Sequence, residues 1–346
     1  MSNLKKIVLL ILLLGIVAGG LFVYNFYNVF FNPNTAFNND KAFVFISSNA
    51  SFDDVREQLT PLLKNVDDFE TTANKKGYKI KGGKYAIKKG MNNNEIVNSL
   101  RSNNIPIKIS FNNQDRLELL AGRIAAQLEK DSVDFLNAFR DETFLKEKGF
   151  SLDDALTMYV PNSYEVYWNL SPEGFRDRMY KEYKSFWNTS RIQKAKTIGY
   201  TPIEIVSLAA IVDKESVKIE ERPRIAGVYL NRLKKGIRLQ ADPTVIYAMQ
   251  KAQNNFDLVI KRVLSKDLEI DSPYNTYKNI GIPPGPISMP DISAVDAVLN
   301  AEKHNYIFFV ADIERFGYHL FAETHSQHIA NANKYRRWAT QNNILR

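Results

Sequence analysis

Cysteine is absent from this 346-residue chain, and histidine is scarce, at four residues. The first absence excludes disulfide frameworks, thiolate metal sites, thiol nucleophiles and a lipidated N-terminal cysteine. The second leaves little for a metal centre: His325 and His328 are close in sequence, but there is no H-E-x-x-H helix, so no metal is expected. No glycine-rich phosphate loop occurs, and no nucleotide or other cofactor is expected. Basic residues outnumber acidic ones, 46 to 38, for a net charge of +8. That balance suits an anionic lipid surface, a cell-wall polymer or nucleic acid, or is simply a lysine-rich soluble surface. No basic run interleaved with aromatics is present, so a nucleic-acid partner is not expected.

What the chain has in quantity is one apolar run. Ile7 to Tyr24 carries no charge, and the uncharged stretch continues through Phe31 to Asn39. About 20 helical residues, rising about 1.5 Å each, cross a hydrocarbon core of about 30 Å. Lys5 and Lys6 precede the run, and Tyr24, Phe26, Tyr27, Phe30 and Phe31 gather at its far end, as interfacial aromatics do. A cleaved signal peptide is the competing reading, but the run is long and no clear small-x-small site follows it. The expectation is a tail at 1–6 in the cytoplasm, a membrane helix at 7–31, and everything later outside.

The fold class expected is α+β. From Lys41 to about Phe111 the order reads strand, helix, helix, strand, helix, strand, with Ser51 and Asn93 as helix caps. Asn113 to about Phe139 reads as one amphipathic helix, and Pro161 to Tyr164 as a turn among Tyr159, Tyr167 and Trp168, rings that suit core packing or a sugar groove. Helices dominate from Phe175 to about Gln250. A proline-rich loop follows, then a hairpin joined at Glu314–Gly317 and a final helix from about Ser326 to Gln341.

The sharpest local signal starts at Thr201. Thr201-Pro-Ile-Glu is a capping box with proline at the first helical position. In the helix that follows, Leu208, Ile211 and Val212 form an apolar stripe whose next position is Glu215. A carboxyl on an apolar face is desolvated, which raises its pKa and keeps a proton available near neutral pH, as a general acid needs. The alternative is a frayed helix end with Glu215 merely exposed. Asp213 projects from nearly the opposite side. Asp242-Pro243 opens another helix, so Gln240, Asp242 and Thr244 cluster at an N-terminus, where they cap or bind ligand.

Five motifs in order carry a resemblance: Ala209-Ala-Ile-Val-Asp-Lys-Glu-Ser, Arg224-Ile-Ala-Gly-Val-Tyr-Leu-Asn-Arg-Leu, Arg238-Leu-Gln-Ala-Asp-Pro-Thr-Val-Ile-Tyr, Ser272-Pro-Tyr-Asn-Thr-Tyr and Gly281-Ile-Pro-Pro-Gly-Pro-Ile. From about Tyr159 onward the chain resembles the YceG-like endolytic murein transglycosylase (MltG) family. The stretch Gly83-Lys-Tyr-Ala-Ile-Lys-Lys-Gly-Met, with its following helix, resembles a LysM-like module, which implies either binding of N-acetylglucosamine glycans or a plain spacer. The implied domains are a LysM-like module at 40–111 and a mainly helical catalytic domain at 112–346. The resemblance implies cleavage of the MurNAc–GlcNAc bond of nascent peptidoglycan strands, leaving 1,6-anhydro ends, with Glu215 as catalytic residue. Gln240, Asp242, Thr244, Tyr274, Asn275, Tyr277 and His319 are implied as substrate-binding positions, and Glu323 and His328 fall near further pattern positions. Where the family often has Glu-Lys-Glu, this chain has Asp213-Lys214-Glu215, so Asp213 is not assigned catalysis. Implied partners are glycan strands, the bacterial plasma membrane and peptidoglycan synthases. Two alternatives stay open: a lysozyme-like hydrolase using Asp242 or Asp213 as second carboxylate, and a non-catalytic wall-binding scaffold.

Overall fold

The structure, a computed structural model, describes residues 3–260 and 262–342. Met1 and Ser2 of the expected tail, and Lys261 and residues 343–346 of the expected catalytic domain, lie outside the described residues. The chain divides into two compact units, one of 1–109 with 127–130 and 164–171, the other of the remainder.

The first unit begins with α1 (Asn3–Phe31). Its 28 residues from Leu4 to Phe31 are long and apolar enough to cross a membrane. At about 1.5 Å per residue they reach about 42 Å, more than the hydrocarbon thickness. Side chains from Leu4 through Tyr27 are exposed, but Phe30 is buried, so the expected aromatic cluster divides between the free helix and the module behind it. The helix end is tied down by its carbonyls. Asn93 Nδ2 donates to the Val29 carbonyl at 2.7 Å, and buried Asn34 donates to Asn93 Oδ1 at 2.7 Å and to the Asn65 carbonyl at 2.7 Å.

The expected order is present: β1 (Lys41–Ile46), α2 (Phe52–Leu59), α3 (Val66–Lys75), β2 (Gly83–Lys88), α4 (Asn93–Ser102) and β3 (Pro106–Phe111). β1 and β2 pair antiparallel, Lys41 opposite Lys88 and Ile46 opposite Gly83. Their period-two pattern turns Val44, Ile46, Tyr85 and Ile87 onto Val55, Leu59, Phe69, Ile96 and Leu100. Ser51 caps α2 as expected, but α4 is capped by Asn92, one residue before the expected Asn93, because Asn92 forms the reciprocal box with Glu95. The first unit also takes in segments beyond residue 111. Glu129 accepts hydrogen bonds from the Ser47 and Ser48 hydroxyls at 2.7 and 2.6 Å, and Trp168 packs edge-on against Phe45.

Two expectations are corrected nearby. The single helix expected over 113–139 is two, α5 (Leu117–Ala125) and α6 (Ser132–Phe139), because the Asp131 carboxylate takes the Val133 and Asp134 amides and restarts the helix. Of the turn expected at Pro161–Tyr164, residues 162–164 lie in a strand, β4 (Asn162–Tyr167), which pairs with β3. Tyr159 and Tyr164 are core residues, whereas Tyr167 is exposed.

In the second unit, α7 (Glu142–Lys148), α8 (Pro172–Phe186) and α9 (Thr189–Ile198) precede the central α10 (Pro202–Glu215). α11 (Arg222–Lys234), α12 (Asp242–Ala252) and α13 (Ile292–Leu299) pack around it. A hairpin of β5 (Phe308–Ala311) and β6 (His319–Ala322) follows, then α14 (His325–Gln341) under a Thr324–Gln327 capping box. The proline-rich segment runs close to other backbone: a Cβ on Gly285 would overlap the Asp153 carbonyl.

Candidate active site

Every apolar position of α10 from Ile205 to Val212 is buried. Thr201 accepts from the Glu204 amide at 3.3 Å, and Glu204 accepts from the Thr201 amide at 2.8 Å, so the helix begins with its free amides satisfied. Its packing against Ile225 and Tyr229 of α11 and Val298 of α13 fixes its axis. The helix ends at Glu215, where Ser216 turns extended, so the last side chain leaves the core at the wall of a cavity of about 440 Å³.

Glu215 shares that cavity with Gln240, Asp242 and Tyr277, and with Tyr229 and Arg232 from α11. Buried Tyr229 donates from Oη to Glu215 Oε1 at 2.8 Å. Burial raises the Glu215 pKa to about 7; the Tyr229 hydrogen bond acts against this, and the nearby Asp242 charge adds to it. Tyr277 donates from Oη to Asp242 Oδ1 at 2.6 Å. Arg232 is directed elsewhere, to the Arg238 carbonyl at 2.9 Å and to the Gln240 side chain. Gln240 sits at φ +51, left-handed for a residue with a Cβ, a conformation of the kind that costs about 1 kcal/mol or more and is held by its surroundings. Its amide donates to the Thr276 carbonyl at 3.1 Å. Leu239, Phe308, Phe309, His325 and His328 complete the lining. His328 stacks on Phe308 with centroids 4.9 Å apart, and burial with three nearby basic groups lowers its pKa.

Not every expected binding residue faces this cavity. Thr244, Tyr274 and Asn275 have no accessible surface. Thr244 Oγ1 donates to the Ala241 carbonyl at 2.7 Å, while Asn275 Nδ2 donates to the Leu268 and Ile270 carbonyls and its Oδ1 accepts from the Tyr277 amide at 2.9 Å. The Tyr274 ring lies 4.7 Å from that of Tyr247. Thr244 and Asn275 thus bond the backbone of the frame that presents Gln240 and Tyr277, Tyr274 packs beside Tyr247, and none of the three is in the cavity lining. His319 also lies outside the lining. Its Nδ1 is 2.7 Å from Glu221 Oε2, and its ring edge meets Phe309 at 5.1 Å.

Asp213 has a different setting. Its Oδ1 lies 2.7 Å from buried Arg222, and its Oδ2 accepts from Asn113 Nδ2 at 3.2 Å. Arg222 also reaches Asp291 and Ser293.

With this geometry in view, the comparisons with known proteins are decisive. The model of the YceG-like family matches residues 44–334. The chain belongs to the YceG-like family. The match covers both units, so one family pattern includes the N-terminal module. This YceG-like chain is 32% identical over 275 residues to a Bacillus subtilis protein named endolytic murein transglycosylase, covering 74% of this chain and 73% of that one. A Streptococcus pneumoniae protein of the same name is 26% identical, covering 96% of this chain and 66% of its own length. The crystal structure of a putative YceG-like protein from Listeria monocytogenes is similar at a TM-score of 0.55 and 27% identity, over 85% of this chain and 99% of that one.

Within this YceG-like site, sequence reading alone overlooked Tyr229, Arg232, Phe308 and Phe309 as lining residues. Tyr229 and Phe309 lie on apolar faces and read as core; the one available signal was a tyrosine hydroxyl on such a face, which when buried needs a partner.

Proposed function

We propose that this protein is an endolytic murein transglycosylase in which Glu215 alone performs both proton transfers. The observation that carries the reading is a carboxyl with no cation paired to it among the described residues, at the end of a buried helix and opening into a cavity, where burial raises its pKa to about 7. In the protonated acid, the Tyr229 hydroxyl occupies Oε1, so the proton resides on Oε2, free to meet the glycosidic oxygen. Proton transfer to that oxygen breaks the bond from C1 of N-acetylmuramic acid and releases the N-acetylglucosamine hydroxyl. The oxocarbenium-like sugar is then attacked by its own C6 hydroxyl, whose proton returns to Glu215. A C1–O6 bond forms, the acid is regenerated and water is not consumed.

No second carboxylate at fixed spacing is required, unlike the hydrolases. Gln240, Asp242 and Tyr277 are the proposed sugar-contacting groups, and Arg232 sets the Gln240 amide. Thr244, Tyr274, Asn275 and His319 act through the frame. The presence of Asp242 in the same cavity favours one second reading, lysozyme-like hydrolysis with Asp242 as partner. Mass spectrometry of digested peptidoglycan separates them: the transglycosylase leaves 1,6-anhydro-muramic ends, the hydrolase reducing ends. Glu215→Gln should leave both absent; cleavage at the wild-type rate would remove Glu215 from its role.

The proposal extends to location. α1 crosses the plasma membrane with Lys5 and Lys6 inside, as the positive-inside rule directs, and the chain after it faces the wall. The 40–111 module is proposed as a LysM-like unit that binds glycan or spaces the site from the lipid. Synthases working on the same nascent strands are the proposed partners.

A further inference from the structure

A second concavity in the same unit is linked to the catalytic helix through Asn113, which bonds Asp213. It is an open groove of about 910 Å³. Asn112, Asn113, Gln114 and Asn162 supply amides to it, and Phe111 and Ile292 supply apolar surface. Its charged members are one of each sign, Arg123 and Asp291, and Asp291 is engaged by Arg222 at 3.3 Å. Asn113 spends a donor on Asp213 and Gln114 its donors on Asn112, while the exposed Asn112 and Asn162 present amide groups of the kind that match sugar hydroxyls, and apolar surface suits the C–H face of a sugar ring. A near-neutral lining of this kind is poorly matched to a nucleic acid or an anionic headgroup.

The groove is close to the cut. Ile219 lines it and Glu215 lines the catalytic cavity, four residues apart, so their Cα atoms are separated by at most about 14 Å. It is also braced on the catalytic helix, because Asn113 hydrogen-bonds Asp213 and Arg222 joins Asp213 to Asp291 and Ser293. The catalytic cavity, about 440 Å³, is toward the small end of the range of about 300–1,000 Å³ typical of small-molecule sites. An enzyme that cuts inside a strand must grip more polymer than that. We propose that this groove is a remote glycan subsite that holds sugars of the strand beyond those at Glu215. This rests on the strand-cleaving reading above.

The test uses the full chain and three substrates: long strands with stem peptides, the same strands stripped of peptides by an amidase, and a short tetrasaccharide. The double variant Asn112→Ala/Asn162→Ala removes two exposed amides, and Ser163→Trp fills the groove from β4. Both should raise KM on stripped long strands at least five-fold, with kcat and tetrasaccharide cleavage within two-fold of wild type. Unchanged KM on long strands in either folded variant overturns the subsite. A loss seen only on peptide-bearing strands assigns the groove to the stem peptide and also overturns it. Equal losses on long and short substrates overturn it too. Absence of anhydro ends with the wild type would instead overturn the function itself.

Discussion

Asp213 and Glu215 leave the same helix two residues apart and meet opposite surroundings. Asp213 faces a buried guanidinium at 2.7 Å and an amide at 3.2 Å. Glu215 faces one neutral hydroxyl and a cavity, with no ion pair to it among the described residues. Burial raises both pKa values, but for Asp213 the adjacent Arg222 cation opposes the rise and stabilises the charged form, whereas for Glu215 only a neutral hydrogen bond does. The paired carboxylate fastens α10 to its neighbours; the more deeply desolvated one, with no cation beside it, is placed to keep a transferable proton. Leaving out one cation separates structure from chemistry.

The widest separation should come from neutralising each in turn. Glu215→Gln should lower the cleavage rate at least about 1,000-fold while the protein stays folded. Asp213→Asn should retain chemistry within a few-fold where folded, yet lose about 2–4 kcal/mol of stability by leaving Arg222 short of a partner, read by thermal melting. If Asp213→Asn abolished turnover in folded protein, the division of roles would fail.

How far this contrast was legible in the sequence depends on where each partner lies. The capping box, the helix and the interruption of its stripe at Glu215 are local, and all three appear as read. Tyr229 was hidden because its hydroxyl meets a residue on another helix, which periodicity treats as core. β4 was missed because its partner, β3, lies some fifty residues away in the chain, and Pro161 with Asn162 spells a turn locally. The motif around Tyr274 and Asn275 was visible, but a polar motif does not reveal whether its atoms face ligand or backbone. Here Asn275 faces backbone, and Tyr277, two residues on, faces the cavity.

Smaller effects sharpen the Glu215 side. With a working pKa near 7, the protonated acid is lost as pH rises, so kcat/KM should fall through about pH 7. Tyr229→Phe removes the hydrogen bond that favours the carboxylate, so this limb should move up by roughly 1 unit, with kcat down about ten-fold as the proton loses its fixed oxygen. Asp242→Asn removes a negative neighbour that favours the protonated form, so the limb should move down by roughly half a unit. Shifts of the same sign in both variants would contradict the electrostatic account. Stability supplies the mildest test. Because the folded pKa of Glu215 lies above its unfolded value, folding takes up a proton between about pH 4.5 and 7, and the wild type should lose stability as pH rises across that window. Glu215→Gln should therefore melt higher than wild type at pH 8 and close to it at pH 4.5.

The central claim is that one carboxyl moves both protons and no water enters the product. Digestion of isolated glycan strands in water enriched in heavy oxygen, with mass spectrometry of the new muramic ends, tests it most directly. The account predicts anhydro ends without label at C1. Labelled reducing ends from the wild-type enzyme would contradict it and return Asp242 to the place of a second catalytic carboxylate.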